Sequence, residues 1–230
     1  MRTLQIRSPL RAALALLVFT GSAAAAQDPS SALLNDMEVR QLVARAEPAD
    51  HARLGAHFAA LAEQYTAAAK RHTSMSQGFG GNPNRNLGSG MSAHCTRLAE
   101  FNTQSATTVR ELVTYHQTLA AGVPAAPPRD AARFHAGAGA PAPSEQEISA
   151  LAAQASTPAE HRALEEYFLT LAKQYTAEAD AHASFAMVYR GARVTQPGAQ
   201  HDRLAGLSRE AAKEATTAAA MHKELAFVPR

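Results

Sequence analysis

One internal repeat constrains this chain more than any other feature. Residues 48–75 (PADHARLGAHFAALAEQYTAAAKRHTSM) align without a gap on residues 158–185 (PAEHRALEEYFLTLAKQYTAEADAHASF) at an offset of 110. Pro48, His51, Phe58, Tyr65 and His72 meet Pro158, His161, Phe168, Tyr175 and His182. Other positions have drifted, such as Gly55 to Glu165, Ala56 to Glu166 and Ala68 to Glu178. The kept residues step by three and four. His51, Leu54, Phe58, Leu61, Tyr65, Ala68, His72 and Met75 form one seam, and His161, Leu164, Phe168, Leu171, Tyr175, Glu178, His182 and Phe185 form the other. That is a heptad pattern with histidine in the seam.

Each copy begins with a shorter helical pattern, about 32–46 and 145–155. Ser144 to Glu147 has the spacing of a capping box, and Thr157, Pro158 and Glu160 mark the start of the second long helix. Glycines and prolines at 78–84, and Gly191 with Pro197, read as helix stops. The Gly-rich stretch 78–90 follows a helix and lacks a terminal Gly-Lys-Ser/Thr, so it is not a phosphate cradle. Second long helices are expected over about 92–120 and 199–227, where HCTRLA aligns with HDRLA through one gap. Each unit is then a short helix plus a long hairpin, and one hairpin cannot bury its apolar stripe alone. The expected fold is all-α, an antiparallel four-helix bundle from two duplicated hairpins.

The expected division is a leader over 1–26, a first hairpin unit over 27–120, a linker over 121–143 and a second unit over 144–230. Arg2, Arg7 and Arg11 precede an apolar run, and Ala24-Ala25-Ala26 ends it, the form of a secretory signal peptide. The expected location is periplasmic or secreted. The linker carries Pro124, Pro127, Pro128, Pro141 and Pro143. Without the leader the chain has 19 Lys+Arg (22 − 3) against 20 Asp+Glu, a net of −1. No basic stripe for nucleic acid appears, and no later run is long enough to span a membrane. Cys95 is the single cysteine, which excludes an intrachain disulfide.

Eight of the ten histidines fall two to each long helix. The spacings are 21 (His51 to His72), 22 (His94 to His116), 21 (His161 to His182) and 21 (His201 to His222). Three heptads return a residue to the same seam ~31 Å away. With both turns at one end, His72, His94, His182 and His201 would gather there, and His51, His116, His161 and His222 at the other. An inverted second hairpin would exchange the membership. Imidazole suits Cu, Zn, Ni and Fe, so these eight are the candidate metal ligands. Glu178 precedes His182 by four and Glu47 precedes His51 by four, positions from which a carboxylate can support a ring. Cys95 adjoins His94 as a soft donor, but neighbours on a helix point apart. His135 lies in the linker without a repeat partner, and His57 is replaced by Tyr167.

The pattern of E-P-A-D-H and T-P-A-E-H starts, a histidine 21 later, a Gly-containing turn, His94-Cys95-x-Arg97-Leu98 and a final histidine resembles exported, alanine-rich bacterial helical-hairpin proteins. Copy two departs from it with Asp202 where the cysteine stands. The resemblance brings no activity with it. The leading expectation is a metal-sequestering or buffering bundle. The others are a b-type haem bundle, without any C-x-x-C-H, and a structural or interaction module without a ligand. No base-and-nucleophile constellation for an enzyme is evident.

Overall fold

The structure, a computed structural model, describes residues 33–82, 85–121, 145–192 and 195–227. The residues expected as a leader, nearly all of those expected as a linker, with His135, and Ser144 lie outside them. Among the described residues the fold is a bundle of helices without strands: α1 (Asp36–Arg45), α2 (Pro48–Gly81), α3 (Arg85–Leu119), α4 (Glu145–Gln154), α5 (Pro158–Gly191) and α6 (Thr195–Phe227). No helix among them is long and apolar enough to cross a membrane.

The helix starts follow local chemistry. The Asn35 side chain accepts from the Glu38 N–H at 2.9 Å, and the Glu38 carboxylate accepts from the Asn35 N–H at 2.9 Å. Ala46, at φ 53°, is left-handed and closes α1. Two residues later α2 begins, with Asp50 accepting two bonds from Arg45 at 2.6 and 3.1 Å. At α5 the Thr157 hydroxyl accepts from the Glu160 N–H at 3.3 Å, and Glu160 accepts from the Thr157 N–H at 2.8 Å.

The expected stops hold, with α2 ending at Gly81 and α5 at Gly191, but the next helices begin sooner than expected. The stretch expected as a loop over 78–90 is helical over 78–81 and again from Arg85, since α2 runs to Gly81 and α3 starts at Arg85. Pro197 lies in the first turn of α6, where a missing N–H costs no helical bond. Gly78 has a packing reason instead. A Cβ there would meet the Ser149 carbonyl oxygen at 3.1 Å and the Ala153 nitrogen at 3.3 Å, so glycine lets α4 press against α2.

Helix α2 packs along α3, α5 along α6, and α3 against α6. No Cα of α2 comes within 8 Å of α5. The short helices fill that groove, each touching both α2 and α5. Arg40 of α1 donates to the Ser184 hydroxyl of α5 at 2.5 Å, and Asn82 at the end of α2 donates to the Ala155 carbonyl after α4 at 3.2 Å.

Two apolar cores result. One joins α1, the start of α2, the end of α3, Phe185 and Tyr189 of α5, and Leu204 of α6. The other joins α4, the start of α5, the end of α6, Met75 and Phe79 of α2, and Met91, Cys95 and Leu98 of α3. Each core thus combines the open end of one hairpin with the turn end of the other.

Gly78→Val should force α4 off α2 and cost about 1–3 kcal/mol in urea unfolding. Gly81→Ala is the control, because a Cβ there meets nothing within 4 Å. It should be neutral or stabilising by up to about 1 kcal/mol.

Candidate functional site

Between the two cores lies a polar layer built reciprocally by the two hairpins. The Tyr65 hydroxyl of α2 meets His182 Nε2 of α5 at 3.1 Å, and the Tyr175 hydroxyl of α5 meets His72 Nε2 of α2 at 3.3 Å. As the number rises from 65 to 72 on α2, the partner falls from 182 to 175 on α5, so the two helices run in opposite directions. The hairpins are inverted, not set with both turns at one end. They are also slid past each other. A turn-end histidine of one hairpin therefore lies at the level of a mid-helix tyrosine of the other, two heptads or ~21 Å from the open-end histidine on that helix.

This shift is why the expected groups of four do not assemble. Among the described residues, no three His, Cys, Asp or Glu side chains are arranged to hold one metal ion. What forms instead is a set of pairs, each inside a single hairpin. His51 and His116 face through Nδ1 at 3.0 Å, His161 and His222 through Nδ1 at 3.2 Å, and His182 and His201 through Nδ1 at 3.2 Å. Phe58 stacks on His116 with ring centres 5.4 Å apart, and Phe168 stacks on His222 at 5.6 Å, the same pairing at repeat-related positions.

The fourth pair is absent. His94 turns toward α6, where its Nδ1 contacts the Glu214 carboxylate and its Nε2 approaches Met221 Sδ at 3.1 Å. Arg97 completes this group, bonding the same Glu214 oxygen at 2.7 Å through Nε. The cause is the extra residue in α3. His201 lies three before Leu204, whereas His94 lies four before Leu98, which rotates the ring by about 100° around the helix.

The other nitrogens are satisfied unevenly. Tyr189 meets His116 Nε2 at 2.9 Å. Phe79 occupies the corresponding place beside His222, with ring centres 5.6 Å apart, and offers no hydroxyl. His222 Nε2 is accordingly buried without a hydrogen-bond partner among the described residues, as are His201 Nε2 and His72 Nδ1. The Asn102 amide donates to the Tyr175 hydroxyl at 2.6 Å. Glu178 accepts from Tyr65 at 3.2 Å, so it supports His182 through Tyr65. Glu47 is the N-cap residue of α2 rather than a ring support. His57 accepts from the Leu34 N–H at 3.0 Å and anchors the segment before α1.

Desolvation dominates the electrostatics. Burial pushes His72, His116 and His222 down to about 3, and His57 and His182 down to about 4. His201 is pushed well below its ordinary value by burial and then by His182, His57 and His116. These rings are neutral at neutral pH, each with one N–H and one lone pair. Burial raises Glu178 to about 7, with the Tyr65 hydroxyl opposing the rise.

Sequence reasoning did not mark Asn102, Tyr189 or Glu214. The 22-residue spacing from His94 to His116, against 21 in the other three helices, was the available signal that His94 leaves the seam. Compared with models of known protein families, with curated protein sequences and with solved structures, the chain matches none.

Two outcomes are expected of the metal-free protein. The buried histidines have lowered folded-state values, so their stabilising effect is present above about pH 6.5 and is lost as the pH falls toward 4 and then 3. Each ring contributes up to about 1.4 kcal/mol per pH unit in that window. Glu178, raised, works the other way and favours folding below neutral pH. The histidines outnumber it, so helicity followed by circular dichroism should collapse cooperatively on acidification before most carboxylates titrate. Separately, Tyr65→Phe and Tyr175→Phe should each cost about 1–3 kcal/mol in urea unfolding, since each leaves a buried imidazole nitrogen unpaired.

Proposed function

We propose that this chain is an exported helical bundle, made of two duplicated hairpins, that binds transition-metal ions at its buried histidine pairs and acts in their sequestration or buffering. The observation that carries the reading is the repeated Nδ1-to-Nδ1 contact of 3.0, 3.2 and 3.2 Å. Two metal–nitrogen bonds of ~2.0–2.1 Å, meeting at a square or tetrahedral angle, hold their nitrogens about 2.9–3.4 Å apart. The pairs are His51 with His116, His161 with His222, and His182 with His201. The lowered values of His51, His116, His182, His201 and His222 add support, since a metal takes imidazole through a lone pair. Each pair supplies two donors, and the remaining positions fall to water or an exogenous ligand. Cu, Zn, Ni and Fe all accept such a donor set. Export rests on the leader-like sequence of residues 1–26.

A second reading is favoured by the lack of any group of three donors among the described residues. Each pair is then an N–H···N hydrogen bond that clamps a hairpin, and the bundle is a structural or interaction module. Haem is disfavoured, because imidazoles in direct nitrogen contact leave no room for a macrocycle between them.

The test is elemental analysis and titration calorimetry on the tag-free chain without its leader. It is stripped with chelator and then offered Zn(II), Cu(II) or Ni(II). Metal binding predicts up to three equivalents, and His222→Gln should remove one while His116→Gln removes another. A protein that retains no metal, and whose melting temperature ignores chelator, would leave the hydrogen-bond reading.

A further inference from the structure

The position left by His94 falls, by its number in the chain, to Cys95. On α2, His72 lies 21 residues after His51; on α3, Cys95 lies 21 residues before His116. In the second hairpin the same steps lead from His161 and His222 to His182 and His201, which are in contact through Nδ1 at 3.2 Å. The register that pairs His51 with His116 therefore sets His72 and Cys95 at one level of the first hairpin, where His182 and His201 stand in the second. Bonds from the Ser76 hydroxyl to the Ser92 carbonyl at 3.0 Å and to the Thr96 hydroxyl at 2.8 Å set α2 against α3 in this register.

Three observations concern what this place would hold. His72 is fully buried, and its Nδ1, the nitrogen that His182 turns toward His201, has no hydrogen-bond partner among the described residues. Its Nε2 is held by the Tyr175 hydroxyl, which fixes the ring. Met75 stands one turn after His72 and Met91 one turn before Cys95, and both thioethers belong with Cys95 to one buried cluster. The corresponding residues of the second hairpin are Phe185, Pro197 and His201, so three sulfur atoms gather in the one hairpin whose histidine has moved away.

We propose that His72 Nδ1 and Cys95 Sγ, with the thioethers of Met75 and Met91, form a binding site for a soft monovalent metal ion, of the class of Cu(I), at the turn end of the first hairpin. Thiolate and thioether donors select such ions over the harder divalent ones. Binding replaces the Cys95 S–H bond with a sulfur–metal bond and releases that proton to solvent. His72 takes the tautomer with its proton on Nε2, directed at the Tyr175 oxygen. The site does not rest on the nitrogen pairs; it uses none of their residues and a different donor chemistry.

The experiment titrates the tag-free chain anaerobically with Cu(I) against a chromophoric Cu(I) chelator, and examines the one-equivalent complex by X-ray absorption. One tight equivalent is expected, with sulfur and nitrogen scatterers and one proton released per ion. Cys95→Ser should weaken that equivalent at least tenfold, and Met75→Leu with Met91→Leu should weaken it less while leaving the thiolate signal. Nitrogen-only scattering in the unmodified protein would overturn the proposal, as would unchanged Cu(I) affinity in a folded Cys95→Ser. If Cys95→Ser does not fold, the scattering of the unmodified protein and the double methionine variant decide. An unmodified protein that binds Cu(I) but no divalent ion would sustain this site alone, and one that binds divalent ions but no tight Cu(I) would sustain only the pairs.

Discussion

Burying neutral imidazole inside a narrow, alanine-rich interior is the constraint on which this structure turns. An imidazole ring offers two nitrogens, and each needs a partner once water is gone. Alanines bring helices close but supply no polar atoms. The partners must come from facing rings or from tyrosines on a neighbouring helix. Both solutions appear. Pairing through Nδ1 works within a hairpin, and the hydroxyls of Tyr65 and Tyr175 work between hairpins. The two tyrosine bonds also tie α2 to α5, whose backbones stay too far apart to pack directly. The polar layer thereby sets the relative slide of the hairpins, and the slide in turn decides which histidines meet.

The seam itself was legible in the sequence. Leu54, Phe58, Tyr65, Leu164, Phe168 and Tyr175 are all buried where the three-four stepping put them. The burial of the histidines followed from the same periodicity. Helix ends were less legible. Glycines at 78, 80 and 81 read as a stop, yet Gly78 is helical and serves a close approach by α4, which only the tertiary arrangement explains. On α3 the buried face includes Asn102 and Val109, while the aromatic Phe101 and Tyr115 are only half-buried.

The grouping of the histidines was the least legible part, because it depends on the slide between hairpins. No periodicity within one helix carries that information. Equal spacing suggested equal ends and hence clusters of four. The inverted, shifted packing turns those clusters into a series of pairs. The one numerical anomaly, 22 residues from His94 to His116, held the rest of the answer. It moves His94 to Glu214 and brings Cys95 into the seam. Because this changes the angular register of a helix rather than its composition, aligning the letters histidine to histidine conceals it.

The placement of the short helices bears on how such a chain can evolve. Helix α4 precedes the second hairpin in sequence but lies across the end of the first, and α1 reaches across to α5 in return. Each short helix covers its own hairpin and the other at once. Removing either half would therefore expose apolar surface on the one that remains. The shared cover does not require the halves to be alike: Tyr189 stands where the first half has Phe79, and Glu178 where it has Ala68.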